Sequence, residues 1–275
     1  MQTVVALWRY PLKSARGEAV DAVDVAPDGL FGDRMWACID RVDGSVGSAK
    51  HPARWGRLLE VGTRLLDDGP DPTVMVEVGG RVMRAGSTEA DGALSDHVGH
   101  PVRLSRDIPP DARLHRRLPD EVGMVPDWMD GVRPGQETVT GMAGPGLIGR
   151  FVDFGAVHLL TTGALAQLGR RMGGSEAAAQ RFRPNLVIDA PQDPRPGQEL
   201  RIGDVVLRVS LPTPRCVVLG LGHADLPPDR AVLTALARHY RMPVGTLGRA
   251  ACFGTYAEVV EPGRLRLGQS VGPCG

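Results

Sequence analysis

Residues 199–210 read Glu-Leu-Arg-Ile-Gly-Asp-Val-Val-Leu-Arg-Val-Ser, two short runs rich in Val, Ile and Leu broken at Gly203-Asp204. Strands of this length around a two-residue turn that begins with glycine predict a β-hairpin. Residues 265–271, LRLGQSV, repeat the strand-turn idea. NLVID at 185–189 and FVDFGAVHLL at 151–160 add two further strands. Helices are fewer. Thr161 or Thr162 caps one that carries Leu165, Leu168 and Met172 and stops at Gly173-Gly174. A short one is expected from Ser175 to Phe182, and PPDRAVLTALARHY places Val232, Leu233, Leu236 and Tyr240 at helical spacing.

Toward the amino terminus the pattern is again strand. TVVALWRYP, EAVDAVDVA, MWACID, RLLEVGTRLL, TVMVEV and RVMRA alternate partly and are parted by Gly, Pro and Asp. One helix interrupts them from Thr88 to Val98, with Ser87 or Thr88 as cap. Residues 107–149 carry Pro109, Pro110, Pro119, Pro126 and Pro134 and read as a connecting segment or a long surface excursion without a regular element. The expected organisation is therefore a β-rich unit over 1–106, a connecting segment over 107–149 and a second β-rich unit with accessory helices over 150–275.

The 275 residues hold 32 basic and 32 acidic side chains. That balance removes the electrostatic case for nucleic acid or a membrane surface. No apolar run is long enough to span a bilayer, and the amino terminus lacks the order of a secretory signal, so a cytoplasmic protein is expected. The four cysteines are scattered, as in a reducing compartment. Gly144 to Gly149 fits G-x-G-x-x-G, yet strand-like sequence follows where a dinucleotide site needs a helix, so it is read as chance. Asp96, His97 and His100 lie where a helix is ending and are read as surface decoration. His158, inside an apolar strand, is read as a core histidine.

Cys216 stands apart. It follows Pro212 and Pro214, adjoins Arg215 and opens the apolar run CVVLGL, read as a strand, a setting open to a buried structural cysteine or to a thiolate that attacks an electrophile or holds a soft metal. Lys13-Ser14, Arg34 and Arg183 lie in rigid, turn-like contexts. With Thr161 and Thr162 they have the chemistry of a phosphate pocket, if the fold brings them together.

In order, YPLKSARG, GLFGDRMWACID, LLTTGALAQL, FRPNLVI, IGD, TPRC and FGTYAEVVEPGRLRLGQSV resemble the MOSC proteins that carry an amino-terminal β-barrel extension. These are homologues of the molybdenum cofactor sulfurase carboxyl-terminal domain and of the mitochondrial amidoxime reducing component. The resemblance implies a β-barrel MOSC domain packed with a smaller β-rich domain. It also implies a molybdenum–molybdopterin cofactor, with Cys216 as the metal's protein ligand and catalytic centre. Lys13, Ser14, Arg34, Thr161, Thr162, Arg183 and Tyr256 would bind the cofactor, with Arg215 beside the thiolate.

The implied activity is reduction of small N-hydroxylated or N-oxide compounds, with electrons from a separate donor protein of ferredoxin or flavoprotein type. Two other roles suit the same residues: sulfur transfer through a Cys216 persulfide, and cofactor binding without turnover. After Cys216 the reductase-type continuation T-T-V-D-P is replaced by VVLGLGHADLPPDR, so the substrate-side wall differs.

Overall fold

The computed structural model describes residues 1–69, 71–142, 149–223 and 225–274. It is mainly β, with 37% strand and 20% helix. Seven strands close a barrel: β1 (Gln2–Arg9), β2 (Val157–Thr161), β3 (Leu186–Ile188), β4 (Glu199–Ile202), β5 (Val205–Pro214), β6 (Arg249–Glu261) and β7 (Ser270–Pro273). Their order is β2-β3-β1-β7-β4-β5-β6, and a β2–β6 pairing joins the two ends, which leaves no open edge along this path. The β4–β5 hairpin turns at Gly203-Asp204, with Gly203 at φ 60° and Ile202 paired to Val205.

The barrel interior is one apolar cluster. Val4, Leu7, Leu159, Ile188, Leu207 and Ala257 belong to it, and so do Val23, Val25 and Leu30 from the first part of the chain. The expected boundary between residues 1–106 and 150–275 is thus not the boundary between cores. β1 pairs with β3 and β7, and Ala22–Ala26 pairs with Gly263–Arg266, because the amino-terminal strand fills the gap that closes the barrel. A second core gathers Trp55, Leu58, Val61, Val76 and Leu94. Helix α1 (Thr88–Val98), capped by the Ser87 hydroxyl on the Ala90 N–H, packs there. A third core lies between the barrel and the helices α2 (Thr162–Arg171) and α3 (Ala231–His239), with Leu168, Phe182, Leu236 and Phe253 at its centre.

Several sequence expectations need correction. Of FVDFGAVHLL at 151–160, only the last four residues are strand, within Val157–Thr161. Residues Gly56–Glu60 form a 3-10 turn, since Leu58 and Leu59 are both buried beneath consecutive positions, which an alternating strand cannot do. Only Ala179–Phe182 of the expected helix from Ser175 is helical, again as a 3-10 turn. Residues 107–149 do contain a regular element, since Arg113–Arg117 pairs with Glu137–Gly141 as an antiparallel hairpin. His100 packs edge-on against Trp55 at 4.5 Å between ring centres, and the His97 Nε2 lies 3.0 Å from the Arg57 carbonyl. Neither is a loose surface side chain. The Gly144–Gly149 motif falls outside the described residues up to 148.

Among the described residues no helix is long and apolar enough to cross a membrane.

Candidate functional site

Strand β5 carries Cys216 to the barrel rim. Its register against β6 slips between Val209 and Leu211 and again between Pro212 and Pro214, so the last turn of strand bends where its two prolines have no N–H to donate. The Arg215 N–H still bonds the Ala251 carbonyl at 2.9 Å. Cys216 then adopts extended backbone, and Val217–Gly220 is a 3-10 turn, where the sequence suggested a strand. Arg181, 6% exposed, fastens that turn from behind by donating to the carbonyls of Leu219, Leu221 and Pro227.

The Cys216 side chain faces a cavity that also receives Lys13, Ser14, Arg34, Arg183, Arg215 and Tyr256. Seven of the nine expected cofactor-binding and thiol positions thus meet, all but the pair at the start of α2. The cavity wall holds seven cationic side chains, adding Lys50, Arg116 and Arg181, against the single carboxylate of Asp153. A chain without net charge has collected its cations in one place, which makes an anion the natural occupant.

Backbone strain marks the same place. Among the described residues three non-glycines have positive φ, namely Ser14 (64°), Arg34 (51°) and Arg183 (54°), and all three line this cavity. Each such conformation costs of order 1 kcal/mol and persists where surrounding contacts enforce it. Here the contacts are visible. The Arg34 N–H bonds the Tyr10 carbonyl at 2.7 Å, and its guanidinium sits 4.9 Å above the Tyr10 ring while pairing with buried Asp33. Arg183 lies 4.3 Å above the same ring and donates to the Ala15 carbonyl. The Ser14 hydroxyl accepts the Ala49 N–H at 3.0 Å.

Lys13 and Lys50 both reach the Asp153 Oδ1 at 2.8 Å, and Lys13 also donates to the Phe151 carbonyl at 3.0 Å. Burial alone would raise the Asp153 pKa, but the two ammonium groups hold it well below the usual carboxylate range. Burial pushes Lys13 down to about 8 although Asp153 pulls it up. Lys13 is therefore charged below that pH and loses its charge above it. Sulfate affinity, measured calorimetrically between about pH 6.5 and 9.5, should fall several-fold as pH rises through about 8. Lys13→Arg should flatten the profile, since a guanidinium keeps its charge throughout. An identical decline in that variant would refute Lys13 as the titrating group.

His158 was read as a core histidine, and it is 3% exposed, yet it also lines the cavity. Burial, then the nearby Arg215, keep its pKa well below the usual value, so the ring is neutral. Its Nδ1 lies 3.4 Å from the Arg183 carbonyl and its Nε2 3.4 Å from Arg215 Nη1. A neutral ring fits both if Nδ1–H donates and Nε2 accepts, which aims the guanidinium beside Cys216. Arg215 Nη2 donates to the Phe182 carbonyl at 2.8 Å, and its Nε is buried without a partner among the described residues. Burial raises Tyr256, so its hydroxyl stays protonated at neutral pH.

Thr161 and Thr162 are not in this cavity. The Thr161 hydroxyl caps α2 at the Ala164 N–H and donates to Asp193 at 2.8 Å, and Thr162 donates to Asp189 at 2.7 Å. Both hydroxyls are consumed by capping and carboxylates on another side of the barrel. The sequence reading also missed Asp153, Lys50, Arg116 and the aromatic pair Trp128 and Phe154, none of which has a local signal.

Among the described residues no group of three or more His, Cys, Asp or Glu could hold a metal ion. A metal at Cys216 must then bring most of its ligands with it, as a dithiolene cofactor does. Cationic walls, a lone accessible thiol and an orphaned guanidinium nitrogen fit an anionic, sulfur-bearing group of that kind.

The family model described as the MOSC domain matches residues 149–272, and that of the MOSC N-terminal beta barrel domain matches 1–83. Human mitochondrial amidoxime-reducing component 1 is 25% identical over 317 aligned positions, covering 98% of this chain and 82% of the relative. Mitochondrial amidoxime reducing component 2 of Bos taurus is 25% identical over 295 positions with the same shares. The YUAD protein from Bacillus subtilis superposes with a TM-score of 0.45 at 12% identity, covering 98% of this chain and 94% of that one. Apart from Arg116, Pro126 and Trp128, the residues that line the cavity lie within the matched stretches, and the chain belongs to the MOSC family, with the N-terminal MOSC β-barrel domain ahead of its MOSC domain.

Proposed function

We propose that the Cys216 cavity binds a molybdopterin cofactor and that the chain is an N-reductive oxidoreductase, reducing N-hydroxylated or N-oxide compounds with electrons from a separate donor protein. The observation that carries this reading is the meeting of one thiol with seven cations and a single carboxylate around one cavity. The names of the human and bovine relatives supply the reaction class.

The bound cofactor supplies two-electron chemistry at molybdenum, which protein side chains lack. The chain's own residues do the rest. Lys13, Ser14, Arg34 and Arg183 hold the phosphate, by charge and by donors locked in place through strained backbone. Cys216 would give the metal its protein ligand, with the Arg215 guanidinium on the same cavity wall. His158 orients Arg215, and Tyr256 presents a protonated hydroxyl, a hydrogen-bond donor at neutral pH. Cys38 and Cys252 are sealed in cores, their thiols pushed up to about 12 by burial, so they cannot compete as thiolates. Four scattered cysteines offer no iron–sulfur relay among the described residues, which suits an external donor.

The test is elemental analysis, and fluorescence of the oxidised pterin, on protein purified from a host that makes the cofactor. About one molybdenum per chain is expected, together with reduction of an aryl amidoxime by dye-donated electrons. Metal-free and pterin-free protein would sink the proposal. An adduct of about 32 Da mapped to Cys216 in such protein would point to sulfur carrying instead.

A further inference from the structure

The Cys216 cavity continues into a second recess. Lys50, Arg116, Trp128, Asp153 and Phe154 border both, and beyond them the recess runs on past Leu114, Met129 and Met142. Its wall is the hairpin Arg113–Arg117/Glu137–Gly141, which projects from the segment between the two β-rich units. In that hairpin Leu114 pairs with Thr140 and Arg116 with Thr138, so these positions share one face, and Leu114, Arg116 and Thr140 line the recess.

Two polar atoms on that face are unspent. Arg116 Nε is buried without a hydrogen-bond partner among the described residues, and so is Thr140 Oγ1. Arg116 has no ion pair among them either, and its Nη1 reaches only the Met129 sulfur at 4.0 Å. Lys50, by contrast, is already held by Asp153. A partly buried guanidinium without a carboxylate is costly unless an anion completes it. Beside it Trp128 and Phe154 stand 6.4 Å apart at 61°, an aromatic corner that fits the edge and face of a ring.

We propose that this recess takes the body of the substrate, an aromatic compound bearing a carboxylate. Arg116 and Thr140 receive the carboxylate, and Trp128 and Phe154 flank the ring, so that the substituent to be reduced points toward Cys216. The proposal rests on the reading of the Cys216 cavity as the reaction site and adds the substrate class. Arg116 borders both recesses, whereas Arg34 and Arg183 are fixed over Tyr10 and Lys13 is fixed on Asp153, so Arg116 is the cation left over for the substrate.

The experiment is calorimetric titration of the purified holoprotein, without electron donor, with benzamidoxime and with its 4-carboxylate. The carboxylate should bind about tenfold more tightly, the magnitude expected of hydrogen bonds to a charged group. Arg116→Gln should bring the two dissociation constants within about twofold while leaving that of benzamidoxime unchanged, and Thr140→Val should remove part of the preference. Equal affinities in the parent protein, a preference that survives Arg116→Gln, or no binding of either compound would overturn the proposal. Arg116 has no ion pair to lose, so its variant should keep the parent melting temperature. Molybdenum and pterin are measured on the same samples. Carboxylate preference in metal-free protein would defeat the redox reading and leave the recess standing, and equal turnover of both compounds by loaded protein would do the reverse.

Discussion

Cys216→Ala should lose at least about a thousandfold in amidoxime reduction, about 4 kcal/mol of transition-state stabilisation, with an unchanged melting temperature. The reason for the split is where the residue sits. Cys216 is partly exposed at the cavity wall and lies two residues beyond the end of β5, so truncating it removes no core packing. The turn behind it is held by Arg181 and by backbone hydrogen bonds, which the substitution does not touch. Cys252→Ala makes the contrast. That thiol is buried against Val244 and Ala250, so its loss should lower stability by about 1 kcal/mol and spare turnover. A Cys216→Ala protein that keeps the parent rate would remove the thiolate from the chemistry altogether. Loss of rate together with loss of fold would instead assign Cys216 a packing role, which its exposure argues against.

The parts of the fold that could be read in the sequence are those with local causes. Gly203-Asp204 between two apolar runs specifies a hairpin by itself, and Ser87 ahead of Thr88–Val98 specifies a capped helix, as the structure has them. The failures have non-local causes. Residues 57–60 are as apolar as a strand, but Trp55 and the core beneath it bury Leu58 and Leu59 side by side in a 3-10 turn. The hairpin within residues 107–149 is hidden because its strands are mostly half-exposed and carry Arg and His where alternation would show. The sharing of β1 by the second unit's barrel joins residues about 180 positions apart, and no window on the sequence sees that.

The site divides in the same way. Lys13, Arg34, Arg183 and Cys216 were picked out by residue type and by their ordered match to a family, and the fold, not their spacing, brings them together. Their left-handed backbone was unreadable, since Ser and Arg carry no preference for it. Thr161 and Thr162 lie outside that cavity, and their type alone has two readings: the start of a helix suits an anion, and equally suits a hydroxyl used as a cap. Only the positions of Asp193 and Asp189 decide between the two. His158 shows the converse, because burial in an apolar strand and a place on the cavity wall are compatible in a narrow barrel.

Asp153→Asn should destabilise the cofactor-free protein by about 2–3 kcal/mol at neutral pH, or about 5–10 °C in melting temperature. One carboxylate oxygen accepts from two ammonium groups whose side chains are 6% and 12% exposed, while Asp153 itself is a third exposed, which places the cost at the low end for a broken buried pair. The pH dependence follows from the signs of the shifts. The folded Asp153 pKa is depressed, so its contribution is present above the unfolded carboxylate value near 4 and fades as pH falls toward the folded one. In acid the gap between parent and variant should therefore close. It should also narrow above about pH 8, where Lys13 is uncharged in the parent and no longer needs its partner. Added sulfate should restore the variant more than the parent, because an anion in the cavity replaces the missing negative charge. A destabilisation that is constant from acid to alkaline pH and indifferent to sulfate would mean that Asp153 serves packing alone and that the cavity does not depend on charge.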